Sequence, residues 1–292
     1  MTVTLSNDHL KAQISAQGAE LIRLCDEHGQ DLLWDGDPAF WTGRSPLLFP
    51  IVGRLRDDRA LIEGRVYPMK QHGFARTLVF DIVDAAPEFC RFRLNASDAT
   101  REQFPYDFKF DMTYRLDEGR LIFSASIMNP ESRSIPVSFG FHPALRWPLP
   151  YGGERNAHEI RFEAVETAFL HRLSDGLIGE ASRPTPVEGN RLRLHDDLFQ
   201  DGALVWSRLA SRQVRYGVPG HRSITVSFPG MPHLGIWTKP GAGYVCIEPW
   251  QGYADPAGFE GEFKDKPGIV MIPPGEIRDF TMEIAIDPPS AS

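Results

Sequence analysis

Residues Phe108-Lys109-Phe110-Asp111-Met112-Thr113-Tyr114-Arg115-Leu116 alternate without a break between apolar and polar side chains. A period of two is the signature of a β-strand with one face in a core and the other toward water. Asp117-Glu118-Gly119-Arg120 supplies a turn, and Leu121-Ile122-Phe123-Ser124-Ala125-Ser126-Ile127-Met128 runs back as the partner. The pair reads as an antiparallel hairpin, and the rest of the fold can be built outward from it.

Shorter segments of strand character recur at 10–14, 21–25, 78–83, 90–96, 159–164, 223–228, 244–248, 269–272 and 280–286. With weaker ones, roughly fifteen strands are expected, the pattern of an all-β chain folded as a large antiparallel β-sandwich. The 26 glycines and 24 prolines make up about 17% of the 292 residues, against about 12% in average usage, so the chain turns often. Helix signals are few. Ser97 or Asp98 can cap a short helix over 99–104, which Pro105 would stop, and another single turn fits 196–200. No linker or repeat divides the sequence, which reads as one domain over 1–292 with a tail, 287–292, expected to fray.

Hydrophobic residues are 42% and charged residues 24%, which excludes a wholly disordered chain. A net charge of −8 leaves no basic stripe for phosphates, so neither nucleic acid nor an anionic membrane is an expected partner. The first residues lack the basic and apolar regions of a secretory signal. The longest largely apolar stretch, 46–52, is far shorter than the roughly 20 residues of a membrane helix. A soluble cytoplasmic protein with a small-molecule ligand is the expectation, and nothing in the sequence sets its oligomeric state. Cys25, Cys90 and Cys246 are odd in number and lack metal-ligand spacing, so they read as small buried apolar residues.

Of the nine histidines, His9, His28, His158, His171, His195 and His221 sit among polar or turn-forming residues. His72, in Gln71-His72-Gly73-Phe74-Ala75-Arg76, and His142, in Phe139-Gly140-Phe141-His142-Pro143, lie among aromatic and small residues instead. Partial desolvation there would bring an imidazole pKa toward working pH, although two core histidines with satisfied hydrogen bonds fit these contexts equally well. In Tyr244-Val245-Cys246-Ile247-Glu248-Pro249-Trp250 alternation puts Tyr244, Cys246 and Glu248 on one face. A carboxylate there is either held at a raised pKa for acid/base work or paired with Arg54 or Arg76. Arg54 and Arg76 could bind a hydroxyl or an anion, or simply an acidic neighbour. Asp201 looks like a turn aspartate. Trp237 and Trp250 could stack on the C–H face of a sugar, with core packing the expected role of at least one.

Two histidines and a carboxylate also describe a metal triad, but these come from distant segments with no His-x-Asp or His-x-x-x-His pairing, so no metal is expected. No Walker loop, Gly-x-Gly-x-x-Gly turn or Gly-x-Ser-x-Gly elbow is present.

Taken in order, Gln71-His72-Gly73-Phe74-Ala75-Arg76, Phe141-His142-Pro143 and Cys246-Ile247-Glu248-Pro249-Trp250 resemble the motifs of the aldose 1-epimerases, or galactose mutarotase-like proteins. The likeness covers nearly the whole chain. It implies the family's antiparallel supersandwich and a sugar substrate, with no cofactor. By resemblance, Glu248 is the general base for the anomeric hydroxyl and His142 the acid for the ring oxygen. His72 and Arg54 orient the sugar, and Asp201 corresponds to a substrate-binding aspartate. The forward reaction at neutral pH then calls for an ionised glutamate and a protonated histidine.

In place of the His-Gly-Gly of galactose-specific members stands His72-Gly73-Phe74-Ala75-Arg76. This is similar to branches that include hexose-6-phosphate mutarotases, and it makes Arg76 a candidate contact to an anionic group. A sugar-binding or sensing protein without turnover is the second reading. Other carbohydrate chemistry is a third, weakly supported by the two carboxylates Asp201 and Glu248. Gly53, Gly73, Gly140, Pro143 and Pro249 flank the candidate residues, so part of the Gly/Pro excess is expected to shape a pocket.

Overall fold

The computed structural model describes residues 1–289. Strands Lys109–Asp117 and Arg120–Met128 pair antiparallel as expected, with Tyr114 opposite Phe123 and Phe110 opposite Ile127. The alternation works as read: Phe110, Met112, Tyr114 and Phe123 are fully buried, while Lys109, Asp111, Thr113 and Arg115 are not. This hairpin lies within a nine-stranded antiparallel sheet, flanked by Ile277–Asp287 on one side and Phe89–Asn95 on the other.

Facing it is an eight-stranded antiparallel sheet that includes Leu204–Trp206, His233–Trp237, Tyr244–Gln251 and Phe139–Phe141. Phe139 meets Phe110 at 5.7 Å and stacks on Phe280 at 5.0 Å, ring centroid to centroid. The core between the two sheets therefore makes a sandwich. Strand Tyr244–Gln251 decides where the site lies. Its Val245 and Ile247 enter the central core, whereas Tyr244 and Cys246 point to the opposite face, where they pack with Trp34 and Ala144. Both faces are buried, one by the partner sheet and one by an aromatic layer.

More strands form than the roughly fifteen expected from turn spacing, because elements such as Leu47–Leu48, Ile135–Val137 and Phe139–Phe141 are wholly buried and show no alternation. The strand expected over 78–83 begins only at Asp81, since Ala75–Thr77 first closes a 3-10 turn. The short helix is Asp98–Arg101. Ser97 Oγ accepts from Thr100 N–H and Thr100 Oγ1 accepts from Ser97 N–H, a reciprocal cap. A 3-10 turn occupies Asp196–Phe199. At the C-terminus Asp287 still pairs with Ser223, and residues 290–292 of the expected frayed tail lie outside the described residues. The three cysteines are free and buried. Among the described residues no helix is long and apolar enough to cross a membrane.

Candidate active site

Glu248 is 2% exposed and His142 6%. Glu248 sits on strand Tyr244–Gln251, and His142 follows the end of strand Phe139–Phe141, which pairs with it. Their side chains meet directly, with His142 Nε2 at 3.1 Å from Glu248 Oε2. Burial pushes the Glu248 carboxyl well above the usual carboxylate range. Burial likewise pulls the His142 imidazole down to about 3, and the charge on Arg76 acts in the same direction. Burial thus disfavours the charged form of both members of the pair. It opposes the ionised glutamate and protonated histidine that the resemblance calls for in the forward reaction. Glu248 is also not held by Arg54 or Arg76; its partner is the imidazole.

His72 is held from behind. Its backbone N–H donates to Gly53 O at 2.8 Å, and Gly53 N–H donates to His72 Nδ1 at 3.1 Å. A nitrogen that accepts from an amide carries no proton, so the ring is neutral with its hydrogen on Nε2. That Nε2 lies 3.2 Å from the Gln71 side-chain amide nitrogen, itself a donor, so the two groups pair only with the amide turned to offer its oxygen. Burial first, then the neighbouring His142 and Arg76, holds the His72 pKa well below the ordinary histidine value. This clamp requires its glycines. Gly53 and Gly73 have φ of +75° and +68°, and a Cβ would lie 2.6 Å from Ala254 at Gly53 and 2.2 Å from Phe49 O at Gly73.

These residues line a cavity of about 330 Å³, with Arg76, Trp41, Trp237 and Trp250 among its walls. The size falls at the small end of the about 300–1,000 Å³ usual for ligand pockets, suited to one sugar ring. Trp250 fits because Gly140 and Gly235 have no side chains: a Cβ on either would come within 2.5 Å of its indole. Among the described residues Trp250 Nε1 and His142 Nδ1 are buried without a protein hydrogen-bond partner, so a hydroxyl-rich ligand has polar groups to satisfy. Arg76 follows the His72 turn and donates to Gln71 O at 2.9 Å. It makes no salt bridge among the described residues, and burial lowers its pKa. A second depression of about 320 Å³ is lined by Arg56, Asp57 and Arg59. Its carboxylates Asp255 and Glu260 already accept from Arg56 and no histidine lines it among the described residues, so the chemistry points to the His142–Glu248 cavity.

Two residues expected to contact ligand lie outside the cavity lining. Arg54 does not line the cavity. Asp58 grips its guanidinium through Nε at 2.8 Å and Nη2 at 3.0 Å, and Nη1 donates to Asp175 O at 3.1 Å. The loop folds back because Asp57 and Asp58 adopt positive φ. Asp201 likewise faces Arg183, whose Nη1 is 2.9 Å from its Oδ2, with both side chains more than half exposed. Its neighbours Gly202 and Ala203, not Asp201 itself, reach the cavity wall. His72, His142, Arg76, Trp237 and Glu248 do come together there. The sequence reading missed Trp41, whose ring lies 4.9 Å from that of His142 and 5.5 Å from that of Trp237. It sits in a loop, where no periodicity marks it. The metal-type donors also differ from the triad considered from sequence: among the described residues His142, Cys246 and Glu248 bring one atom each within 4.8 Å.

A sequence model of the aldose 1-epimerase family matches residues 1–285. Protein LacX of Lactococcus lactis subsp. lactis, in plasmid and chromosomal forms, is 27% identical, covering 98% of this chain and 99% of LacX. A galactose mutarotase related enzyme from Lactobacillus acidophilus superposes with a TM-score of 0.92 at 28% identity, over 100% of this chain and 99% of its own. A galactose mutarotase-like protein from Lactobacillus casei ATCC 334 gives 0.90 at 28% identity, over 98% and 100%.

Proposed function

Because the chain belongs to the aldose 1-epimerase family, we propose that it is a mutarotase that interconverts the α and β anomers of an aldohexose by opening and reclosing the hemiacetal ring. The observation that carries this reading is the buried His142–Glu248 contact at 3.1 Å, set in a cavity sized for one sugar. Opening removes a proton from the C1 hydroxyl and delivers one to the ring oxygen. Rotation about C1–C2 and closure with the roles reversed gives the other anomer. The proton count of the protein is unchanged over the cycle, so a pair that holds one mobile proton suffices.

In this reading the resting pair keeps that proton on Glu248, the arrangement that burial favours. Sugar hydroxyls that donate to the carboxylate favour its ionised form and shift the proton across the short contact to His142. Glu248 then takes the C1 proton while His142 protonates the ring oxygen. Neutral His72 presents Nε2–H as a fixed donor to oxygen atoms that gain charge. A positioned acid or base of this kind contributes about 10²–10⁴-fold, and the chemistry calls for no cofactor.

A second reading, that the sugar carries a 6-phosphate, is favoured by Arg76, a cavity guanidinium without a carboxylate partner among the described residues. Polarimetric relaxation of fresh anomers of several aldoses, free and 6-phosphorylated, tests both. Acceleration of at least one is expected, and uncatalysed rates throughout would sink the mutarotase reading. Measurable sugar affinity in calorimetry without acceleration would identify a binding or sensing protein instead.

A further inference from the structure

We propose that His142 and Glu248, on the wall of this cavity, together with Cys246, which is buried behind them and does not line it, also form a binding site for a zinc-type divalent ion, and that the bound ion blocks the sugar chemistry. The two-residue period of strand Tyr244–Gln251 sends the Cys246 and Glu248 side chains to the same face. Ala144, two residues after His142, pairs with Cys246, which brings the imidazole over that face. One nitrogen, one sulfur and one oxygen atom thus lie within 4.8 Å of one another, all on buried residues.

Tetrahedral zinc, with bonds of about 2.0–2.3 Å, sets its ligand atoms roughly 3.5 Å apart. The His142–Glu248 contact is already 3.1 Å, so a shift of about 1 Å by the thiol closes the set. The imidazole Nδ1 has no protein hydrogen-bond partner among the described residues, so an adjustment of the ring toward the ion breaks no hydrogen bond at that atom. Thiol, imidazole and carboxylate together match a borderline or soft ion, whereas Mg²⁺ and Ca²⁺ prefer oxygen donors. Three protein ligands leave a fourth position, as in zinc sites that keep an exchangeable water.

Charge balances without a counter-ion. Binding releases the Cys246 and Glu248 protons to solvent, and the resulting thiolate and carboxylate neutralise the two positive charges beside a neutral imidazole. The dry site gains no net charge, which avoids the penalty of burying an unpaired ion. Glu248 and His142 then spend on the metal the lone pairs that would otherwise move the sugar's protons. Ion binding stands independently of the mutarotase reading; the blockade rests on it.

The test titrates metal-free full-length protein with Co²⁺ and with Zn²⁺. Near-ultraviolet thiolate-to-cobalt absorption and calorimetric stoichiometry are recorded beside mutarotation rates. One ion per chain, a thiolate band and loss of activity in step with occupancy are expected, with Mg²⁺ inert at the same concentrations. Cys246→Ala should keep its metal-free activity, lose the band, and need at least about tenfold more Zn²⁺ for half-inhibition. Cys246→Ser provides a second variant should the alanine protein fold poorly, and Cys25→Ser is the control that should behave as wild type. Absence of the thiolate band, inhibition of Cys246→Ala at the wild-type Zn²⁺ concentration, or activation by Zn²⁺ would overturn the proposal. If no sugar is turned over, the band and stoichiometry still decide whether the site exists.

Discussion

Arg54 and Arg76 stand at two edges of the same region and meet opposite fates. Arg54 ends an apolar segment that passes through Gly53, yet its whole fork is engaged by Asp58 and Asp175 O at the surface. Arg76 ends the segment that carries His72, and it lines the cavity with a single backbone acceptor for company. Arg183 and Asp201 repeat the Arg54 pattern at the rim, where both side chains are exposed and paired with each other. Residue type and neighbourhood in sequence are alike. What separates the wall from the rim is whether a carboxylate is near enough to occupy the guanidinium, and how far water is excluded. The same contrast predicts that substitutions in the wall change chemistry while those at the rim do not.

Glu248→Gln should have the largest effect. It keeps the size of the buried side chain but cannot take the C1 proton, so activity should fall by about 10²–10⁴-fold with an unchanged fold by circular dichroism. A fully active variant would remove Glu248 from the mechanism. His72→Asn comes next. Asparagine tolerates the positive φ of 66° at this position, which separates loss of the Nε2–H donor from backbone strain. A loss of about 10²-fold in kcat, with KM little changed, is expected for a donor used in the transition state; a pure KM effect would make His72 a binding residue only.

The fold was legible because Phe110, Met112, Tyr114 and Leu116 must share one face of a strand, and only a sheet buries them together. Glu248, His72 and His142 could be picked out for a related reason, since polar groups amid apolar sequence need an explanation. What local sequence left open has a different origin. Whether Arg54 meets a sugar or Asp58 depends on a loop whose Asp57 and Asp58 take positive φ, a conformation that aspartate tolerates but does not dictate. Trp41 reaches His142 from a loop, through contacts distant in sequence. How strongly desolvation weighs on the pair is not written in local sequence either, since the 2% exposure of the Glu248 carboxyl comes from strands and loops packed over it.

Arg76→Ala and Arg54→Ala test the contrast itself, at the small end of the scale. A charge-assisted contact to phosphate is worth about 1.5–3 kcal/mol. If a 6-phosphate meets Arg76, its loss should therefore raise KM for the phosphorylated sugar by about 10–100-fold and leave free hexoses nearly unaffected. Equal effects on both sugars would mean that Arg76 serves the pocket's shape or field rather than an anion. Arg54→Ala and Asp201→Asn should change either substrate by no more than about twofold, since exposed ion pairs contribute little. A loss at Arg54 as large as that at Arg76 would mean that the Arg54 fork leaves Asp58 when sugar binds. The difference between wall and rim would then belong to the free protein alone, and the carboxylate would be a resting place for a guanidinium that works on substrate.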